Sequence, residues 1–271
     1  MAKEADLLAE DGFVVLRGFY SFDSDIEPIR LAIQRIISYV CEQHRVDVDT
    51  STPELAMGPA YMTLYENNPI AAGHVYDAVK QIPEFVALTS DPRNAELFRL
   101  LRPGSDPAIA AGGAGIRIDR PGDTGYRAAW HQEFPAQLRS LDGIVFWSPL
   151  MEVTESVGPV VVAKASHKEG CVPVRRAPES TGAYALRLDD EETVVGKYEH
   201  VARPTSPGDL VVMDFLTLHR SGINESDRPR WSMQFRYFNW LEPIGRQIGW
   251  TGSFAAGQDF SRILPSLLVG E

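Results

Sequence analysis

Arg230-Trp231-Ser232-Met233-Gln234-Phe235-Arg236 alternates polar and apolar side chains along seven residues. In an extended strand, successive side chains point to opposite faces. Arg230, Ser232, Gln234 and Arg236 then share one face, and Trp231, Met233 and Phe235 share the other. Such a strand needs an apolar core behind it and a polar hollow in front. An arginine buried at the entrance of that hollow needs an anionic partner, because an unpaired buried charge is costly. A guanidinium fork fits a carboxylate in bidentate fashion. The partner is either a protein carboxylate such as Asp214 or the carboxylate of a ligand.

Outward from this strand, short β-rich runs alternate with turn formers at 115–118, 126–133, 143–148, 160–163, 209–214 and 231–240. Arg120-Pro121-Gly122-Asp123, 155–159 and 203–208 separate them. Strands at this density predict a sandwich or jelly roll. Before about residue 104 the texture is different. Phe13-Val14-Val15-Leu16 reads as a strand, and Ser24 with Glu27 reads as a capping box. Ile26, Ile29, Ile33, Ile36, Ile37 and Val40 then recur at helical spacing. A second helix is expected near 71–82. A third starts at Asp91-Pro92, with Leu97, Leu100 and Leu101 on its apolar face. No flexible linker divides the halves, so a single domain over 1–271 is expected. In it, a mostly helical part (1–104) packs on a β core (105–271) that carries an insertion near 172–201.

Composition narrows the function. The 26 lysines and arginines stand against 37 aspartates and glutamates, a net charge of −11. Such a chain lacks the phosphate-neutralising surface that nucleic-acid binding requires. Only two cysteines occur, Cys41 and Cys171, far apart and without metal-ligand spacing. That argues against a disulfide framework and for a reducing compartment. No apolar run approaches the ~18 residues of a membrane span. A cytoplasmic protein without a membrane or nucleic-acid partner is expected.

The chemistry centres on Trp130-His131-Gln132-Glu133. If this segment is extended, His131 and Glu133 point to one side and Gln132 to the other. His219, after the strand at 209–214, supplies a third group. Two imidazoles and a carboxylate on one face of an octahedron leave three positions open, which suits non-haem Fe(II) that must also hold a co-substrate and O2. A lone His-x-Glu also arises by chance as a surface pair. Arg230, 11 residues after His219, strengthens the metal reading. A dicarboxylic keto acid bound to iron by its keto end would place its far carboxylate there. Asp214 is read as supporting the site rather than ligating. Gly112-Gly113-Ala114-Gly115 lacks the strand-before, helix-after context of a phosphate loop.

From Ile116 to Asn239 the chain resembles the phytanoyl-CoA dioxygenase-like family of Fe(II)/2-oxoglutarate oxygenases. The matching pieces are Ile118 to Asp123, Trp130-His131-Gln132-Glu133, Phe146-Trp147-Ser148-Pro149-Leu150, Gly158-Pro159, Ser166-His167-Lys168, and Leu218-His219-Arg220-Ser221 with Asn224, Ser226 and Arg230. Phe13 to Phe19 looks like the family's opening segment. The resemblance implies a mainly β fold, a double-stranded β-helix (jelly-roll, cupin-like) core with flanking helices. It implies His131, Glu133 and His219 as iron ligands and Arg230 as the partner of the distal carboxylate of 2-oxoglutarate. Trp147, Arg120 and Ser232 fall at further co-substrate positions. Trp147 reads equally as core packing, and Arg120 as a turn residue. Most members have aspartate where this chain has Glu133. The implied reaction is hydroxylation of a small-molecule substrate with release of succinate and CO2, with no catalytic group beyond the metal ligands. The alternatives are a metal-dependent isomerase or epimerase on a cupin-like barrel, or an inactive binding protein on the same scaffold.

Overall fold

A computed structural model describes residues 2–125, 127–177, 186–252 and 264–269. Eleven strands occur among them. In chain order they are β1 (Phe13–Leu16), β2 (Pro107–Ile109), β3 (Gly115–Asp119), β4 (Gly143–Pro149), β5 (Val161–Ala163), β6 (Val174–Arg176), β7 (Leu186–Leu188), β8 (His200–Ala202), β9 (Leu210–Asp214), β10 (His219–Arg220) and β11 (Arg230–Asn239). The major sheet runs β1-β9-β4-β11-β2, and β3 also pairs with β11. A second sheet runs β10-β5-β8, and β6 and β7 form a hairpin. All of these pairings are antiparallel.

The alternation read along β11 is present. Trp231, Met233, Phe235 and Tyr237 face a core shared with the N-terminal helices. Arg230, Ser232, Gln234 and Arg236 face the other way. The indole N–H of Trp231 donates to the Met57 carbonyl at 2.7 Å, and its ring meets Tyr61 edge-on. Phe235 is fully buried; truncating such a residue to alanine costs about 3–5 kcal/mol. β4 is buried along its whole length because both its faces are covered. Ile144 and Phe146 pack towards the helices, while Val145 and Trp147 pack into a second core with Val162, Leu218 and Met213. A strand covered on both sides reads as a continuous apolar run, which is what Ile144-Val145-Phe146-Trp147 shows.

The expected helices form with shifted details. Glu27–His44 buries Ile29, Ile33 and Ile37. Its approach is a π-helical turn over Phe22–Ile26, capped by Ser21, whose hydroxyl accepts from the Ser24 N–H at 3.4 Å. The Ser24–Glu27 capping box does not form, because Ser24 already lies inside that turn. The helix expected near 71–82 is Pro69–Ala78 followed by a 3₁₀ turn over Val79–Gln81. Pro92–Leu101 starts at Asp91 as expected, but Leu100 points outward and Phe98 takes its place in the core.

Two larger expectations need correction. Helical residues outnumber strand residues among those described, so the fold is a helix-rich β scaffold rather than a mainly β one. The reason is local. The second sheet and the β6–β7 hairpin use strands of only two or three residues, while several helices fill the first hundred. Second, 126–133 is not a strand. Tyr126 lies outside the described residues, His131 makes only a single bridge, and Glu133 begins the short helix Glu133–Gln137. Both cysteines are free thiols. No described helix is long and apolar enough to cross a membrane.

Candidate active site

The two histidines meet through the backbone. His131 N–H donates to the His219 carbonyl and His219 N–H to the His131 carbonyl, both at 3.0 Å. A reciprocal antiparallel pair places its side chains on the same face. The imidazole rings lie 4.3 Å apart between centroids. Gln132 turns the other way and fastens the segment. Its amide donates to the carbonyls of Leu216 and Gly170, and its oxygen accepts from Val172 N–H. Glu133 N–H then donates to the Phe215 carbonyl. The alternation needed to bring His131 and Glu133 together therefore survives, although the strand does not.

Glu133 Oε1 lies 3.8 Å from His131 Nε2 and 3.6 Å from His219 Nε2. One ligand atom from each residue falls within 4.8 Å of the other two, the only such metal-capable group among the described residues. The tautomers follow from the partners. His131 Nδ1 faces the Ala129 carbonyl at 2.8 Å, and His219 Nδ1 faces the Thr217 carbonyl at 2.9 Å. A carbonyl only accepts, so each Nδ1 carries a proton, and the tautomer this selects for a neutral ring leaves the lone pair on Nε2. Two lone pairs and a carboxylate thus converge, which is the donor set a divalent cation requires.

The electrostatics keep the set in its binding state. Burial works to raise the Glu133 carboxyl, but the Arg236 charge and the surrounding hydrogen bonds outweigh it and hold that carboxyl well below its ordinary range. Arg236 Nη2 donates to Oε1 at 2.8 Å and Nε to Oε2 at 3.1 Å. Burial pushes His219 below the ordinary imidazole range. Arg236 also donates to the Gly113 carbonyl at 2.7 Å. The glycine-rich loop therefore presents a carbonyl to a cation, opposite to the way a phosphate loop works.

Arg230 is nearly fully buried, as expected. Its protein partner is Asp119, at 3.0 Å from Nη2, rather than Asp214. Its Nη1 donates to the Gly158 carbonyl. Gly158 has φ +80°, and a Cβ there would stand 2.2 Å from the Ile223 carbonyl oxygen. Only glycine allows that approach. Asp214 pairs with Arg102 and accepts from Leu216 N–H at 2.7 Å. Among the described residues, Arg230 Nε and Ser232 Oγ are buried and without hydrogen-bond partners. They sit two residues apart on β11, and orphaned donors of this kind ask for a ligand.

One cavity is lined by the histidines, Glu133, Arg230 and Trp147. Ser232 and Arg120 are not among its lining residues. Arg120 pairs with Asp123 and lies over the Tyr65 ring, 3.6 Å from its centroid. His167 lies in the 3₁₀ turn Ser166–Glu169, with Nε2 3.0 Å from the Ala9 carbonyl oxygen. Part of the insertion, 178–185, lies outside the described residues, but Leu186 and Arg187 beyond it border the cavity. A hollow lined by Phe22, Met57, Met151 and the Arg30–Glu54 pair lies elsewhere and holds no such ligand set. Sequence reasoning missed the functions of Arg236 and Asp119. Arg236 was on the polar face of the strand, and a buried Glu133 needs a counter-charge; joining those two facts would have found it.

A family model described as Phytanoyl-CoA dioxygenase (PhyH) matches residues 8–232. Several solved structures share the fold at low identity. The non-haem alpha-ketoglutarate-dependent epimerase SnoN from nogalamycin biosynthesis has a TM-score of 0.54 at 17% identity, over 90% of this chain and 85% of that one. SnoN has also been solved with Fe3+ and alpha-ketoglutarate. The carbocyclase SnoK from the same biosynthesis gives 0.55 at 18% identity, over 88% and 83%. EctD from S. alaskensis with bound Fe gives 0.55 at 17% identity, over 100% and 87%. No curated protein sequence matches the chain.

Proposed function

The chain belongs to the phytanoyl-CoA dioxygenase family, and on that premise we propose that it is an Fe(II)- and 2-oxoglutarate-dependent oxygenase that hydroxylates a small molecule. The observation that carries this is the convergence of His131 Nε2, Glu133 Oε1 and His219 Nε2 on one cavity.

His131, Glu133 and His219 would hold the iron, with both Nδ1 protons fixed on backbone carbonyls so that the Nε2 lone pairs stay available. Arg236 holds Glu133 ionised and oriented. Arg230, which lines the cavity, would receive the distal carboxylate of 2-oxoglutarate through Nε, which has no other partner. Ser232, two residues along the same face of β11 but off the cavity lining, would assist it with its unpartnered hydroxyl. Trp147 and Met213 form apolar wall that limits water at the reacting centre. When bound, iron and 2-oxoglutarate supply the oxidation: with O2, the keto acid leaves as succinate and CO2 and one oxygen atom goes to a substrate C–H.

The test is succinate release by the purified protein with Fe(II), 2-oxoglutarate and O2, followed by analysis of substrate oxidation with labelled O2. The reading expects succinate formation that disappears in Glu133→Ala, and label in both succinate and product. An epimerase would yield an isomer without label. An inactive scaffold would load both partners and release no succinate.

A further inference from the structure

The cavity carries more positive charge than its proposed metal and co-substrate account for. Arg117, Arg187, Arg220, Arg230 and Arg236 line it, against the carboxylates of Asp119 and Glu133. Both carboxylates are taken. Asp119 pairs with Arg117 at 3.1 Å and Arg230 at 3.0 Å, and Glu133 with Arg236 at 2.8 Å. Among the described residues neither Arg187 nor Arg220 forms a salt bridge, although the Glu191 carboxylate acts on Arg220 from a distance. The surplus is local, because the whole chain is strongly acidic. Fe(II) and doubly charged 2-oxoglutarate cancel each other, so loading the site leaves the surplus in place.

Arg220 is the better-defined of the two. It directly follows His219, and its guanidinium lies over the Trp130 ring, 5.1 Å from the centroid. Stacking of that kind fixes the plane of the fork while leaving its edge free to donate. Its Nε is buried without a hydrogen-bond partner, as is Nη1 of Arg127, whose charge is felt at Arg220. Arg187, also on the cavity lining, stands opposite Arg175 in the β6–β7 pair. Like charges directly opposite in a sheet repel. An orphaned Arg220 donor and a cavity-lining Arg187 set against another arginine are both relieved when an anion binds between Arg220 and Arg187.

Building on the oxygenase reading, we infer that the substrate carries an anionic group, a carboxylate or a phosphate, received by Arg220 and Arg187 beside the metal. Arg230 and Ser232 are on β11, whereas these two arginines are on β10 and β7. The substrate anion and the co-substrate therefore have separate anchors.

The experiment uses protein loaded anaerobically with Fe(II) and saturating 2-oxoglutarate, titrated calorimetrically at low ionic strength with hexanoate, hexyl phosphate and hexanol. Loading is measured first; a wild-type protein that fails to load contradicts the oxygenase reading, and the anion titration is then run on the metal-free protein. The expected result is that an anion binds at least tenfold more tightly than hexanol, the tighter anion naming the group. Arg220→Gln and Arg187→Gln should each weaken that anion about tenfold or more, with Fe(II) and 2-oxoglutarate affinities held within twofold. Unchanged anion affinity in both variants overturns the inference. So does hexanol binding as tightly as the anions, no binding of either anion, or displacement of the anion by added 2-oxoglutarate.

Discussion

Arg236 lays its guanidinium against both oxygens of Glu133, Nη2 on Oε1 at 2.8 Å and Nε on Oε2 at 3.1 Å, in the interior of the protein. The carboxylate that faces two imidazoles is thus held from behind by a fork that fixes its plane. The metal-facing carboxylate here sits on the long arm of a glutamate, and an arginine restrains it.

Removing that arginine should be costly. Arg236→Ala leaves a buried carboxylate without its counter-charge, and breaking a buried pair in this way costs about 3–5 kcal/mol. Arg236→Lys keeps the charge but loses the two-point grip, so it should recover only part of the loss. Urea denaturation measures both. Wild-type stability in Arg236→Ala would mean that the pair does not hold the site.

Acid should destabilise the metal-free protein in two stages. The folded His219 titrates below the ordinary imidazole value of 6.5, with burial the largest cause. Between those two values the unfolded chain binds a proton that the folded one does not, so stability falls as pH drops below about 6.5. Glu133 and Asp119 also titrate lower when folded than when unfolded, and they extend the loss below about pH 4.5. Melting temperatures from pH 8 to about pH 3 should decline in both windows. In His219→Gln the first decline should shrink, and an unaltered profile would contradict the assignment.

Arg230 is anchored by Asp119 and the Gly158 carbonyl before any ligand arrives. If its remaining donor receives 2-oxoglutarate, Arg230→Ala should weaken co-substrate binding by about 1.5–3 kcal/mol, the range for a hydrogen bond to a charged group. Arg230→Lys should not restore it, because an ammonium cannot satisfy Asp119, Gly158 and a ligand in the same plane. Ser232→Ala should show a smaller loss. Equal 2-oxoglutarate affinity in all three variants and the wild type would remove β11 from the co-substrate site.

The sequence made some of this legible and not the rest. The two faces of β11 could be read because its alternation is strict and the buried pleat enforces it. The three candidate ligands could be read from the ordered set of motifs between Ile118 and Arg230 that resembles a known family, since His-x-Glu alone arises by chance. The helix at Glu133 could not, because the backbone turn after Gln132 is set by bonds to Phe215 and Leu216, some eighty residues away in sequence. Local pattern carries no trace of them. The choice of Asp119 over Asp214 for Arg230 was equally hidden. Both aspartates lie at a strand end, and only the antiparallel register that sets Arg230 opposite Asp119 decides between them. The outward turn of Leu100 reflects which side of its helix the sheet covers, another fact of tertiary packing.

The central claim is that one metal ion sits on His131, Glu133 and His219. Anaerobic titration of Fe(II) into the wild type and into His131→Ala, Glu133→Ala and His219→Ala tests it most directly, with circular dichroism to check that each variant is folded. His131 is the decisive position, since its side chain is a third exposed and outside the buried Glu133–Arg236 pair. One ion per chain in the wild type and none held by a folded His131→Ala protein is the predicted result. Undiminished stoichiometry and affinity in folded His131→Ala would contradict the account.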